Sequence, residues 1–118
     1  MIKFVGLKNC DPCRKAKKWL EGEGISFIYH DVRSDGLSKD DVTHWINELG
    51  WEELINRRGT TWRNLSDEDK NSVNKETAVD LIVANPSLMK RPLFICGDTF
   101  ILGFKQAQMK AIQALSTV

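Results

Sequence analysis

Two cysteines separated by two residues, Cys10 and Cys13 in the run Asn9-Cys10-Asp11-Pro12-Cys13, are the residues of this chain best suited to chemistry. A cysteine attacks as its thiolate, and the first turn of a helix stabilises that anion with unpaired backbone amides and the positive end of its dipole. Cys10 stands where such a helix would begin. Two intervening residues put Cys13 one turn further on, where its sulfur can approach Cys10 and close a disulfide. Cys10 is thus the candidate nucleophile and Cys13 the candidate resolving thiol. Pro12 suits the start, because a first-turn residue donates no helical hydrogen bond. Asp11 suits the dipole but sets a negative charge beside Cys10, which Lys8 and Arg14 would offset. Lys8 and Asn9, in the turn before the helix, are candidate substrate contacts.

The same spacing is also half of a zinc site, or a chance pair near a helix start. Zinc would need two more ligands, and Cys96, His30 and His44 do not form a second close pair, so no metal is expected. Cys96 lies in an apolar strand and reads as an inert core residue. Two basic features remain. Lys90-Arg91-Pro92 precedes a strand, and Pro92 can start a strand in either isomer of its peptide bond. If that bond is cis and faces the cysteines, the adjoining backbone offers an edge to an extended thiol peptide, and Arg91 could hold a carboxylate or oxyanion. Otherwise it is a solvated basic pair. Asn56-Arg57-Arg58-Gly59-Thr60-Thr61-Trp62-Arg63 reads as a basic turn, in which Arg57 and Arg58 suit an anion or simply a hydrated surface. The tryptophans at 19, 45, 51 and 62 read as packing residues, since they share no basic strand face for stacking bases.

Several elements must position these groups. Ile2 to Gly6 reads as a buried strand, about Asp11 to Glu23 as a helix with Cys13, Ala16, Trp19 and Leu20 near one face, and Ser26 to His30 as a second strand. Strand, helix, strand favours a parallel pair. Ser38 reads as the cap of a helix carrying Val42, Trp45, Ile46 and Leu49, and Gly50 ends it. Short helices follow at Trp51 to Asn56 and Ser66 to Ser72, then a longer one from Lys75 to Ala84 with Ala78, Leu81 and Ile82 inward. Leu93 to Cys96 and Thr99 to Leu102 flank Gly97-Asp98 as a hairpin. The last helix, roughly Lys105 to Leu115, turns Ala107, Ala111, Ile112 and Leu115 inward. This order predicts an α/β, thioredoxin-like fold: a mixed four-stranded sheet, with a helical insertion at about 38–85 between an N-terminal βαβ unit and a C-terminal ββα unit. One domain of 118 residues accommodates it.

Composition narrows the function. A hydrophobic share of 42%, a charged share of 28% and no apolar run near membrane-span length describe a globular chain away from membranes. A net charge of +1 gives no general attraction to nucleic acid. Three cysteines in a chain able to build a core argue against a disulfide framework, and the N-terminal run lacks a secretory signal, so the cytoplasm is the expected compartment.

Taken together, Gly6-Leu7-Lys8-Asn9-Cys10-Asp11, Asn47-Glu48-Leu49-Gly50-Trp51, Arg58 to Arg63, Lys90-Arg91-Pro92 and Leu102-Gly103-Phe104 make the whole chain resemble the family of ArsC arsenate reductases, Spx regulators and YffB-like proteins, nearest the YffB-like branch. The resemblance implies Cys10 as nucleophile and glutathione as co-substrate, with no bound cofactor and glutaredoxin as a partner. The arsenate reductases of this family hold their oxyanion with three arginines. Arg91 matches one and Arg57 or Arg58 another, but the third falls near Leu102 to Lys105, where no arginine occurs. Cys13 is the pattern of the Spx regulators, which implies, as the alternative, a redox switch that binds the RNA polymerase alpha subunit.

Overall fold

A computed structural model describes residues 1–116. The chain forms two compact units, one made of Met1–Val32 with the segment from Arg91 onward, the other of Arg33–Lys90.

In the first unit, strands β1 (Ile2–Gly6), β2 (Phe27–Asp31), β3 (Leu93–Cys96) and β4 (Thr99–Leu102) form one sheet in the order β2-β1-β3-β4. β1 pairs parallel to β2, and antiparallel pairing joins β1 to β3 and β3 to β4. This is the mixed thioredoxin-like sheet expected from the sequence. Alternation along the strands sends Ile2, Phe4 and Phe94 to one face. There they are buried with Cys13, Ala16 and Leu20 of helix α1 (Asp11–Gly22) and Ile112 of the C-terminal helix α7 (Gln106–Ser116). The Phe4 ring is fully buried and lies 5.7, 5.1 and 5.0 Å from the rings of Phe27, Tyr29 and Phe94. The hairpin turns on Gly97, whose φ of +59° is the positive value a two-residue turn of this hand requires.

The second unit holds α2 (Lys39–Leu49), α3 (Trp51–Leu54), α4 (Thr60–Arg63), α5 (Asp67–Asn71) and α6 (Lys75–Ala84), then a 3-10 turn at Pro86–Leu88. Ser38 caps α2, its hydroxyl accepting from the Asp41 N–H at 3.0 Å, and Ser66 caps α5 in the same way. Among the described residues no helix is long and apolar enough to cross a membrane.

Several expectations shift. β2 runs one residue later than read, so that Asp31 ends it. The basic turn is helical from Thr60 to Arg63, where Gly59 supplies an extended N-cap. In α6 Val79 is buried and Leu81 only partly so. In α7 Ala107 is exposed, because the buried stripe is set by Ile112 with Ala111 and Leu115 beside it. Cys96 is half-buried at the edge of the packed face rather than inside it.

Candidate active site

Cys10 is the N-cap of α1, with extended backbone at φ −111° and ψ 119° and no capping hydrogen bond from its side chain. Its carbonyl accepts the first helical bond, from the Arg14 N–H at 2.9 Å, and its own N–H donates to the Leu7 carbonyl at 3.2 Å. The half-buried sulfur therefore sits at the amide end of a 12-residue helix. The Asp11 charge beside it is met by Arg14 at 3.5 Å, a pair exposed enough to be worth little in stability.

Cys13, one turn on, is 2% exposed, and its sulfur occupies the space over Gly6. A Cβ at Gly6 would lie 3.1 Å from that sulfur and 2.8 Å from the Phe4 ring. Burial first, and then a hydrogen bond donated to Cys10, push the Cys13 thiol up from 9.0 to about 12; a bond from the Leu7 backbone and the charge of Arg91 pull the other way. Neither cysteine is in a disulfide. At neutral pH Cys13 keeps its proton and presents it to the Cys10 sulfur.

As pH rises past 9.0 the unfolded chain releases the Cys13 proton while the native protein keeps it up to about 12. The unfolded state then binds fewer protons, so stability falls with pH, by at most about 1.4 kcal/mol per unit for one proton. Urea unfolding at intervals between these two values should show a steeper decline for the native sequence than for Cys13→Ala.

The preceding turn is fastened from β2. Asp31, 5% exposed, accepts the Lys8 N–H at 2.9 Å and the Tyr29 hydroxyl. Burial, followed by the Asp31 charge, pushes Tyr29 from 10.0 to about 12. Beside the cysteines opens a cleft of about 300 Å³ lined by Lys8, Asn9, Cys13, Arg14, Lys17 and Tyr29, with Leu7 at its edge. Lys17 lies 5.7 Å from the centre of the Tyr29 ring. Three cationic side chains and no carboxylate line this space, which suits an anionic ligand.

Of the residues singled out in the sequence, Lys8, Asn9, Cys10 and Cys13 gather here, and Arg91 is near enough for its charge to act on Cys13. The Arg91-Pro92 bond is cis, Pro92 is buried, and its carbonyl accepts from the Gly103 N–H at 2.8 Å. Arg57 and Arg58 belong to the other compact unit. Both are exposed there, and Arg57 is engaged by Glu52 at 3.9 Å and by the Trp51 ring at 5.6 Å. Sequence reasoning missed Gly6, Lys17, Tyr29 and Asp31; the one hint was a run of polar residues closing an apolar strand. Among the described residues no three His, Cys, Asp or Glu side chains cluster as metal ligands do.

A helix N-cap cysteine over a mixed sheet, with a second thiol one turn behind it, defines the thioredoxin-like class of thiol proteins. Within that class the chain belongs to the ArsC family, whose model matches residues 5–112. A Haemophilus influenzae protein is 41% identical over 111 residues, covering 94% of this chain and 97% of its own. The global transcriptional regulator Spx of Streptococcus pneumoniae is 30% identical over 113 residues, 94% of this chain and 84% of the regulator. A solved protein called YFFB superposes with a TM-score of 0.89 at 32% identity, over 95% of this chain and 98% of that one.

Proposed function

We propose that this protein is a cytoplasmic thiol-disulfide oxidoreductase in which Cys10 attacks a disulfide and Cys13 or glutathione resolves the mixed disulfide. The observation that carries this reading is the unequal state of the two thiols: Cys10 is half-buried at the amide end of α1, and the buried Cys13 donates a hydrogen bond to it. Once Cys10 is bonded to substrate sulfur, its charge and its acceptor role are gone. Two of the influences holding the Cys13 proton disappear with them, while Arg91 and the Leu7 backbone still favour the anion. Cys13 is thereby released to attack at the stage when attack is useful.

The cationic cleft supports glutathione, an anionic tripeptide, as co-substrate, with Lys8, Asn9, Arg14 and Lys17 as its contacts and glutaredoxin as the family's implied partner. Arg91 and Pro92 are further proposed contacts, and Arg57 or Arg58 is one that the family resemblance implies. Mass spectrometry after incubation with oxidised glutathione tests it: a Cys10 adduct that converts to a Cys10–Cys13 disulfide is expected, and no modification of Cys10 would sink the idea. Lys17→Glu, at an exposed position, should raise KM for glutathione disulfide by about twofold to fivefold, the size of one surface charge contact, with kcat little changed.

The likeness to Spx and the shared cysteine pair support a second reading, a regulator that binds the RNA polymerase alpha subunit. Capture of that subunit by only one redox form, without turnover, would favour it over the enzyme. Arsenate reduction has weaker support. Where a third arginine would fall, Phe104 packs against Trp19 and Phe94 at 5.6 and 6.3 Å. Arsenate-dependent thiol consumption is therefore expected to be absent.

A further inference from the structure

The second step of the proposed reaction has a proton to dispose of, and the site has a carboxylate the first step does not use. Asp31 is the buried charged residue of the described chain, and its position follows from the ladder. Ile2, Phe4 and Gly6 of β1 pair with Phe27, Tyr29 and Asp31 of β2, so these six residues share one face of the sheet. Gly6 has no side chain, and the Cys13 sulfur lies 3.1 Å from where its Cβ would stand, with the Phe4 ring at 2.8 Å. The cross-strand neighbour of that place is Asp31, and the diagonal neighbour is Tyr29, whose hydroxyl donates to the Asp31 carboxylate. Tyr29 and Cys13 also line the same cleft.

A carboxylate so placed costs desolvation energy, and donors that include the Lys8 N–H and the Tyr29 hydroxyl offset part of it. The Lys8 bond explains how the turn before Cys10 is held. It does not explain why an ionisable group stands beside a thiol that must lose its proton. The other groups that face Cys13 do not serve as acceptors: Cys10 is covalently engaged at that stage, and Arg91, Lys8, Arg14 and Lys17 are cations.

We infer that Asp31, acting through the Tyr29 hydroxyl, is the proton acceptor for Cys13 when it resolves the mixed disulfide on Cys10. This rests on the reading of the cysteine pair given above. The Cys13 sulfur attacks the Cys10 sulfur, the bond from Cys10 to the substrate sulfur breaks, and the substrate leaves as a thiolate. The Cys13 proton passes to Tyr29 oxygen as the Tyr29 proton passes to Asp31. Cys10 and Cys13 are oxidised to a disulfide by two electrons, and the substrate thiol is reduced by the same two.

The step can be timed with dithiobis-nitrobenzoate, whose released thiolate absorbs visible light, in a Cys96→Ser background. Attack by Cys10 releases one equivalent and resolution by Cys13 a second, so stopped-flow absorbance separates them. In Asp31→Asn and in Tyr29→Phe the second phase should slow on the order of 10²-fold more than the first at neutral pH, as loss of a positioned base does. The slow phase should then recover with rising pH, as hydroxide replaces the missing acceptor, while the parent changes less. Asparagine can still accept the Lys8 N–H, and phenylalanine keeps the ring packed on Phe4, so Tyr29→Phe decides the matter if Asp31→Asn folds poorly. Parental second-phase rates in both variants would overturn the inference, and so would an equal loss at every pH, which marks altered geometry. Release of one equivalent by the parent would remove Cys13 from resolution, and the underlying reading would fall with it.

Discussion

Cys10→Ser is expected to abolish disulfide reduction, with kcat/KM falling on the order of 10³-fold or more to background, because a serine hydroxyl is not ionised at neutral pH and forms no mixed disulfide. The same substitution should leave the fold intact or strengthen it. Cys10 occupies the N-cap of α1 with extended backbone and makes no capping hydrogen bond. Serine is among the preferred residues at that position, and its oxygen can accept an amide that the sulfur leaves open, a gain of up to about 1 kcal/mol. Loss of activity together with an unchanged or raised Tm is thus the signature of a nucleophile placed where structure alone would choose another residue. Normal turnover by this variant would take Cys10 out of the mechanism. Cys13→Ser differs in kind, since the adduct on Cys10 should still form and glutathione should still resolve it, at a reduced rate.

How much of this was legible beforehand depends on the range of the interactions involved. The hairpin was readable to the residue because Gly97-Asp98 is a local signal, and so were the Ser38 cap and the bounds of α6, where Asn74 and Thr77 form a reciprocal cap. The faces of the helices were less so. Ala107 fits a helical stripe by spacing yet is exposed, since alanine is small enough to sit on either side. The cysteine pair was legible as chemistry, but its asymmetry was not. The burial of Cys13 depends on Gly6 lying beneath it, and the role open to Asp31 depends on the pairing of Gly6 with Asp31, far apart along the chain. Such register is set by which residues of each strand face the packed side, which no local pattern states. The arginine cluster was legible as charge only. Local partners, Glu52 and Trp51, account for Arg57 without reference to a ligand.

Gly6→Ala should couple the packing of this site to its chemistry. The added methyl would meet the Phe4 ring at 2.8 Å and the Cys13 sulfur at 3.1 Å, the first closer than such contacts occur. Phe4 has no room to yield, being fully buried with three aromatic rings around it. Overpacking of this kind costs about 1–3 kcal/mol, which for a domain of this size lowers Tm by roughly 4–8 °C per kcal/mol. Cys13, on the first turn of α1, is the neighbour able to move, and moving it away from the sheet lengthens its path to Cys10. The variant should therefore form the Cys10 adduct with glutathione at close to the native rate, yet close the Cys10–Cys13 disulfide at least about tenfold more slowly, as displaced reacting groups do. Gly22→Ala serves as the control. It lies in the same helix with nothing within 4 Å of its added methyl, and alanine there should be neutral or stabilising by up to about 1 kcal/mol. Native stability and native disulfide closure in Gly6→Ala would show that the contact between the strand and Cys13 sets neither the fold nor the second step. Loss of both, with Gly22→Ala unaffected, would mean that the absence of a side chain at position 6 is what seats the resolving thiol.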